Sequence, residues 1–246
     1  MLHFMLLLNL RKLSASSSTN KELKKLLKFN NIKSGDGVWT LNQTDGVGQY
    51  GSVWQGETNS HLAFSVYKCF ENLNSKWIYS INSASALAVI KTLDYFNVPD
   101  LSIKWPNDIL SGNKKISGIL IENLVRSNKI YSTIIGAGIN INQIIFRNLP
   151  NATSIKHSSK KDVSVDVVLQ ELVKNYKLYL PKVYNVNELS KEYHLNLYGL
   201  ESCTFLLNGK ILKGKVVKVL ENGKIQVKIN SLGIGEYNTG EIKIII

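Results

Sequence analysis

From Gly199 to the C-terminus the sequence stops offering helices. Short alternating runs of apolar and polar residues are separated by Asn208-Gly209, Asn222-Gly223 and the Gly233/Gly235 pair. Alternation with period two buries one face of a strand, and Asn-Gly supplies the positive φ that tight hairpins require. Four or five short strands are therefore expected over residues 198–246, closing a small barrel-like β module. Residues 1–197 have a different texture, in which helical and strand periods are mixed, so the chain divides into a larger domain and a small β module.

Within the larger part, Leu23, Leu26 and Leu27 recur at helical spacing among lysines, and Thr19 or Asn20 suits the N-cap of that helix. Strands are expected at Val38–Leu41, Leu62–Tyr67, Leu101–Trp105, Ile116–Leu124 and Ile130–Ile135. Ser83–Phe96 reads as a helix with Ala84, Leu87, Ala88, Ile90 and Leu93 buried. A second helix, Val163–Leu180, is built on Val167, Val168, Leu172 and Tyr176, and His157–Asp162 before it reads as a polar loop. The stretch Met1–Leu8 imitates the apolar part of a signal peptide. It has no basic region before it and no small-residue cleavage site directly after it, so a first strand is the better reading.

The 246 residues can bury a core without disulfide or metal staples. Cys69 and Cys203 form no CxxC or Cys/His cluster, which argues against a zinc site and fits a reducing cytoplasm. No later stretch approaches the ~18 apolar residues of a membrane span. Lys and Arg outnumber Asp and Glu by 30 to 18, a formal charge of +12. Such a balance raises the question of a polyanionic partner, although richness in Asn, Ile and Lys throughout also follows from an AT-rich genome.

Four clusters sit where strands end. The glycine loop Gly46-x-Gly48-x-x-Gly51 lets backbone N–H groups approach a compact ligand, because no Cβ blocks them. It is followed by Trp54 and a strand, unlike a dinucleotide fingerprint, and it lacks the Lys-Ser/Thr of a Walker loop. In Lys104-Trp105-Pro106-Asn107-Asp108 the proline ends strand pairing and presents Asn107 and Asp108. A Lys and an Asp flanking such a break can hold nucleotide phosphate and magnesium, and equally suit a surface turn. Lys115-Ile116-Ser117-Gly118-Ile119-Leu120-Ile121-Glu122 begins a strand with a lysine and carries a glycine inside it, where close approach is needed. The fourth cluster is Gly136-Ala137-Gly138-Ile139-Asn140.

In this order the clusters strongly resemble the biotin protein ligases. The likeness runs through Ser18-Thr19-Asn20, Gln43-Thr44-x-Gly46-x-Gly48-Gln49-x-Gly51-x-x-Trp54, KWPND at 104–108, KISGILIE at 115–122 and GAGIN at 136–140. It implies an α+β fold, with a mixed-sheet catalytic domain and an SH3-like C-terminal cap. It also implies a two-step reaction in which biotin and Mg-ATP give biotinyl-AMP, which a lysine of a biotin carrier protein then attacks. Biotin would be held by Ser18, Thr19, Asn20, Gln43, Gly46, Gln49, Lys115 and Gly118. Lys115 would bridge the biotin carboxylate and the α-phosphate. Trp54, Lys104, Asn107, Asp108 and Asn140 would serve ATP, with Asp108 positioning either magnesium or the incoming lysine. The resemblance implies no tightly bound prosthetic group, and acetyl-CoA carboxylase's carrier as the usual acceptor.

Two positions depart from the family pattern. Val47 stands where an Arg or Lys is common, leaving Gly46 to Trp54 without a positive charge, and His61 stands where Asn is usual. A degenerate biotin-binding module and a lipoate or octanoate transferase of the same fold are the alternatives. Too few residues precede Ser18 for a helix-turn-helix, so no nucleic-acid partner and no membrane partner are expected. The expected oligomeric state is a monomer or a homodimer paired through edge strands.

Overall fold

The computed structural model describes residues 9–147 and 149–246. The strand expected over Met1–Leu8 lies outside the described residues. The architecture is α+β. Strand β1 (Asn9–Lys12) is followed by helix α1 (Thr19–Lys28) and by β2 (Asp36–Thr40), which pairs with β1 in parallel. A small hairpin, β3 (Gly46–Val47) and β4 (Val53–Trp54), precedes β5 (His61–Asn74) and helix α2 (Ile78–Tyr95). Then come β6 (Leu101–Lys104), β7 (Asp108–Ser111), β8 (Lys114–Arg126) and β9 (Lys129–Asn140). Seven of these strands form one sheet in the order β1-β2-β5-β9-β8-β7-β6, antiparallel from β2 onward.

Strand β5 shows why the sheet has two different faces. Leu62, Phe64 and Val66 are fully buried and point one way, with Phe64 stacking on Tyr176 at 5.5 Å between ring centroids. Tyr176 belongs to helix α4 (Val165–Tyr179), which packs with α2 beneath that face. The alternate residues His61, Ala63 and Ser65 face the opposite side, where α1 and the site lie. Helix α2 starts at Ile78 rather than Ser83 and is buried nearly all round. Its polar residues are absorbed locally: the hydroxyls of Ser80, Ser83 and Ser85 donate to the carbonyls of Trp77, Tyr79 and Ile81.

Three further expectations need correction. The N-cap of α1 is Ser18, whose Oγ accepts the Lys21 N–H at 3.4 Å; Thr19 and Asn20 already have helical backbone and are turned into the sheet. The supposed loop at His157–Asp162 begins inside a short helix, α3 (Ile155–Ser159), because Ser154 accepts the His157 N–H at 3.0 Å and starts a turn. Val167 is exposed, so the buried apolar stripe of α4 is Val168, Leu172, Tyr176 and Tyr179. Helix α5 (Val186–Leu195), not among the expected elements, buries Leu189 and Tyr193.

The C-terminal strands are β10 (Cys203–Leu207), β11 (Lys210–Val219), β12 (Ile225–Ile229), β13 (Gly233–Tyr237) and β14 (Ile242–Ile245). They form an antiparallel sheet in the order β13-β12-β11-β10-β14. Asn208 and Gly209 both have positive φ, 49° and 75°, the geometry a two-residue hairpin needs. This sheet is fastened to the larger one: the Trp105 indole N–H donates to the Gly223 carbonyl at 3.0 Å.

Candidate active site

The exposed face of β8 and β9 is stripped of side chains at Gly118, Gly136 and Gly138, and Gly118 lies opposite Gly138 in the register. The absence of Cβ atoms makes a floor on which other groups lie flat. The Trp54 indole rests on Gly138 and Gly118; a Cβ at Gly138 would stand 2.7 Å from its Cζ2. A cavity of about 430 Å³ opens above this floor between α1, the β3–β4 hairpin, the β6–β7 turn and the C-terminal sheet.

At one end, α1 begins. The Thr19 N–H donates to Gln43 Oε1 at 2.9 Å, and Ser65 Oγ lies 2.7 Å from Thr19 Oγ1 and 2.6 Å from Asn20 Oδ1. Asn20 also donates to Glu122 Oε2 at 2.9 Å. Its amide is thus committed to protein partners, tying the helix to two strands of the sheet, β5 and β8. Ser18 caps through an acceptor lone pair, which leaves its O–H free to donate. Gly46 is buried outside the cavity lining, and a Cβ there would stand 2.6 Å from Gln43 Nε2.

The expected glycine loop is a closed hairpin. Gly46 pairs with Trp54 and Val47 with Val53, and the Gly48 N–H donates to the Ser52 carbonyl at 2.6 Å. Tyr50, at φ 53°, ψ 32°, occupies left-handed space that a tyrosine seldom adopts. The hairpin lines the cavity through Val47, Gly48, Gln49, Tyr50, Ser52 and Val53.

At the other end, β6 and β7 turn through Trp105-Pro106-Asn107, and Lys104 pairs directly with Asp108. Lys115 Nζ lies 2.5 Å from Asp108 Oδ1, and Lys104 Nζ lies 3.7 Å from Asp108 Oδ2. The β7–β8 register slips between Ile109 and Leu110, a bulge of the kind that re-aims side chains, and it brings Lys115 to the cavity beside Asp108. Burial pulls the Lys104 ammonium below the usual lysine range; Asp108 opposes this, while Lys115 and Lys243 add to it. Asn107 donates to the Ile119 carbonyl at 2.8 Å and locks the turn onto β8.

Asp108 alone, paired with two ammonium groups, does not make a magnesium cradle. No group of three His, Cys, Asp or Glu comes together among the described residues. Any magnesium would have to arrive on the phosphates of a nucleotide.

Asn140 lies on the floor face two residues beyond Gly138, outside the cavity lining. It donates to the Thr153 carbonyl at 2.9 Å, and its Oδ1 has no protein partner among the described residues. His61 stands opposite it in the register. The His61 ring Nδ1 is 2.9 Å from the Glu57 carbonyl, which fixes the proton there and leaves Nε2 without a partner among the described residues. Burial lowers the His61 pKa, with the Glu57 bond opposing.

The sequence clusters thus converge, and the structure adds residues no motif announced. Thr239, Gly240, Ile242, Lys243 and Ile244, from the turn into β14 and from that strand, wall the cavity on its far side. In the sequence Lys243 is one of seven lysines in its module, with nothing to single it out.

Residues 13–140 match the model of the biotin/lipoate A/B protein ligase family. The chain is 27% identical over 237 residues to the bifunctional ligase/repressor BirA of Bacillus subtilis, covering 93% of this chain and 71% of that protein. It is 30% identical over 126 residues to the biotin–[acetyl-CoA-carboxylase] ligase of Mycobacterium tuberculosis, 49% of this chain and 45% of the relative. The structure of the Aquifex aeolicus biotin protein ligase in complex with biotin and ATP superposes with a TM-score of 0.77 at 28% identity, covering 96% of this chain and 98% of that one. The chain belongs to the biotin/lipoate A/B protein ligase family, and within it to the biotin protein ligases.

Proposed function

We propose that this protein joins biotin to ATP and passes the biotinyl group to a lysine of a carrier protein. In the first step a biotin carboxylate oxygen attacks the α-phosphorus, the bond to the β-phosphate oxygen breaks, and pyrophosphate leaves. In the second, the carrier's ε-amine attacks the carbonyl of the mixed anhydride, AMP departs and a proton is released. The observation that carries this reading is the lysine pair around Asp108, set over a glycine floor at the edge of a partly enclosed cavity. Two anions must meet there, and fixed cations in a water-poor cleft offset their repulsion.

In this assignment Ser18, Thr19, Asn20, Gln43, Gly46 and Gln49 surround the biotin rings, directly or by setting the shape of the wall, and Gly118 admits them to the floor. Lys115 bridges carboxylate and α-phosphate. Lys104 faces phosphate, Asp108 keeps the two lysines in place, Asn107 holds their turn, and Trp54 covers the nucleotide side. Asn140 reads adenine through the Oδ1 that has no partner among the described residues. Residues 1–197 act as the catalytic domain and 198–246 as its cap. The name of the Mycobacterium tuberculosis relative supports an acetyl-CoA carboxylase carrier as acceptor. No helix of the described residues is long and apolar enough to cross a membrane, and both described cysteines are free, which supports action in a reducing cytoplasm.

The test is incubation with biotin, magnesium and labelled ATP in the absence of carrier. Biotinyl-AMP is expected with biotin and not with lipoate or octanoate. Biotin binding without adenylate would assign a degenerate binding module, and adenylate from lipoate would assign the sister activity.

A further inference from the structure

The cavity is walled by three lysines and one carboxylate, and the β3–β4 hairpin that forms its rim contributes no charge. Lys104 and Lys115 already share Asp108, so the catalytic sheet by itself brings one uncompensated positive charge to a site that takes two anions. The third lysine, Lys243, comes from β14 of the C-terminal sheet, and it is close enough to Lys104 to lower that ammonium's pKa. The described residues give Lys243 no carboxylate within ion-pair distance, so its ammonium is not already spent on a protein anion.

Two contacts hold β14 against the site. Asn151, whose carbonyl accepts the Lys115 N–H at 2.7 Å, also donates from its side chain to the Ile246 carbonyl at 3.2 Å. On the other side, the Tyr50 hydroxyl at the tip of the uncharged hairpin reaches the Thr239 carbonyl at 3.5 Å. The strand that carries Lys243 is therefore clasped between the catalytic lysine strand and the hairpin.

We propose that Lys243 is a polyphosphate-binding residue: its ammonium takes the outer phosphates of ATP, and so the departing pyrophosphate, in place of a cation in the β3–β4 hairpin. This rests on the cavity being an ATP site. A point charge on a long stem suits an anion whose position shifts between bound triphosphate and leaving pyrophosphate.

The test uses the full chain with Lys243→Ala, Lys243→Glu and Lys243→Arg. Steady-state biotinyl-AMP formation gives KM for ATP and kcat; calorimetry gives the affinities for biotin and for inorganic pyrophosphate. Loss of one charge-assisted contact is expected to raise KM for ATP and to weaken pyrophosphate binding about tenfold in the alanine variant, and more in the glutamate variant. Arginine should restore both, with biotin affinity and melting temperature unchanged. An unchanged KM and pyrophosphate affinity in Lys243→Glu would overturn the proposal, as would parallel losses of biotin and nucleotide binding with a lowered melting temperature. Should the wild type make no adenylate, the ligase reading fails separately, and the pyrophosphate titrations still decide the role of Lys243.

Discussion

Replacement of Lys115 by methionine separates its charge from its packing. The lysine stem passes beside Gly118, its Cε 3.2 Å from where a Cβ would stand there, and its Nζ sits 5.6 Å from the centre of the Trp54 ring. Methionine keeps most of that apolar stem and removes the ammonium. The backbone does not depend on the side chain, since Lys115 N–H donates to Asn151 and Lys115 O accepts from Thr153. Asp108 loses its 2.5 Å partner but retains Lys104 at 3.7 Å, so no carboxylate is left isolated. The Lys115 side chain is 35% exposed, and a pair so placed contributes only about 0–1 kcal/mol to stability. For a chain of this size that is a fall in melting temperature of at most about 4 °C. The transition state loses far more, because charge develops between carboxylate and phosphate where the ammonium would be. Removing one such stabiliser costs about 2.7–4 kcal/mol, a 10²- to 10³-fold fall in the rate of adenylate formation. Single-turnover formation of biotinyl-AMP and a thermal melt on the same preparations read both quantities. A methionine variant within threefold of the wild-type rate would refute the role of Lys115, and so would a rate loss that merely tracks a collapse in stability.

Gly138→Ala should push the Trp54 indole off the floor, since the new methyl would stand 2.7–2.8 Å from its Cζ2 and Cδ2; an overpacking cost of about 1–3 kcal/mol and an altered tryptophan emission are expected, and an unchanged spectrum would contradict the stacking. His61 is buried and neutral with a lowered pKa. The unfolded chain therefore binds more protons below about pH 6.5, and stability should fall as pH drops through that value; His61→Gln should flatten this acid limb in urea titrations. Lys104, its pKa lowered by burial, should lose its charge below the ordinary lysine range of about 10.4. KM for ATP should accordingly rise on the alkaline side, and Lys104→Arg should carry the plateau to higher pH.

How much of this was legible in the sequence depended on whether a residue's neighbours were local. Asn208-Gly209 and the β6–β7 turn announced themselves because their conformation is set by two or three adjacent residues. Gly118 was visible as an anomaly inside a strand, whereas Gly136 and Gly138 were expected beyond the end of a strand that in fact runs on to Asn140; what lies on them was not visible, since Trp54 reaches Gly138 across 84 positions of sequence. Asn20 and Glu122 stood out as parts of two separate motifs, yet nothing showed that they meet, and Ser65, which joins Asn20 from β5, carried no signal of its own. The N-cap was misplaced by one residue because Ser18, Thr19 and Asn20 all have capping chemistry, and tertiary bonds to the latter two decided the choice. Lys243 was illegible for the opposite reason. It belongs to an alternating strand in which a lysine every few residues is ordinary, and only the packing of one sheet against another gives it a site to face.

That placement also decides what the +12 charge is for. Charges more than about 8 Å apart across water are screened at physiological salt, so a lysine excess scattered over the surface adds little at any one point. Surface pairs such as Lys21 with Asp45, both side chains about half exposed, are likewise of small consequence. In the cleft the balance differs, because Lys104 is only 14% exposed and its field is poorly screened. Lys115 and Lys243 push the Lys104 ammonium toward neutrality, and Asp108 opposes this from between Lys104 and Lys115. One carboxylate draws Lys104 and Lys115 together and is too little to neutralise the three ammonium groups. A second acidic residue would halve the excess of positive charge that attracts substrate anions, whereas none would leave Lys104 and Lys115 to repel each other with nothing between them. The functional quantity is therefore the local excess of two positive charges over Asp108, and it survives any surface substitution that changes the total.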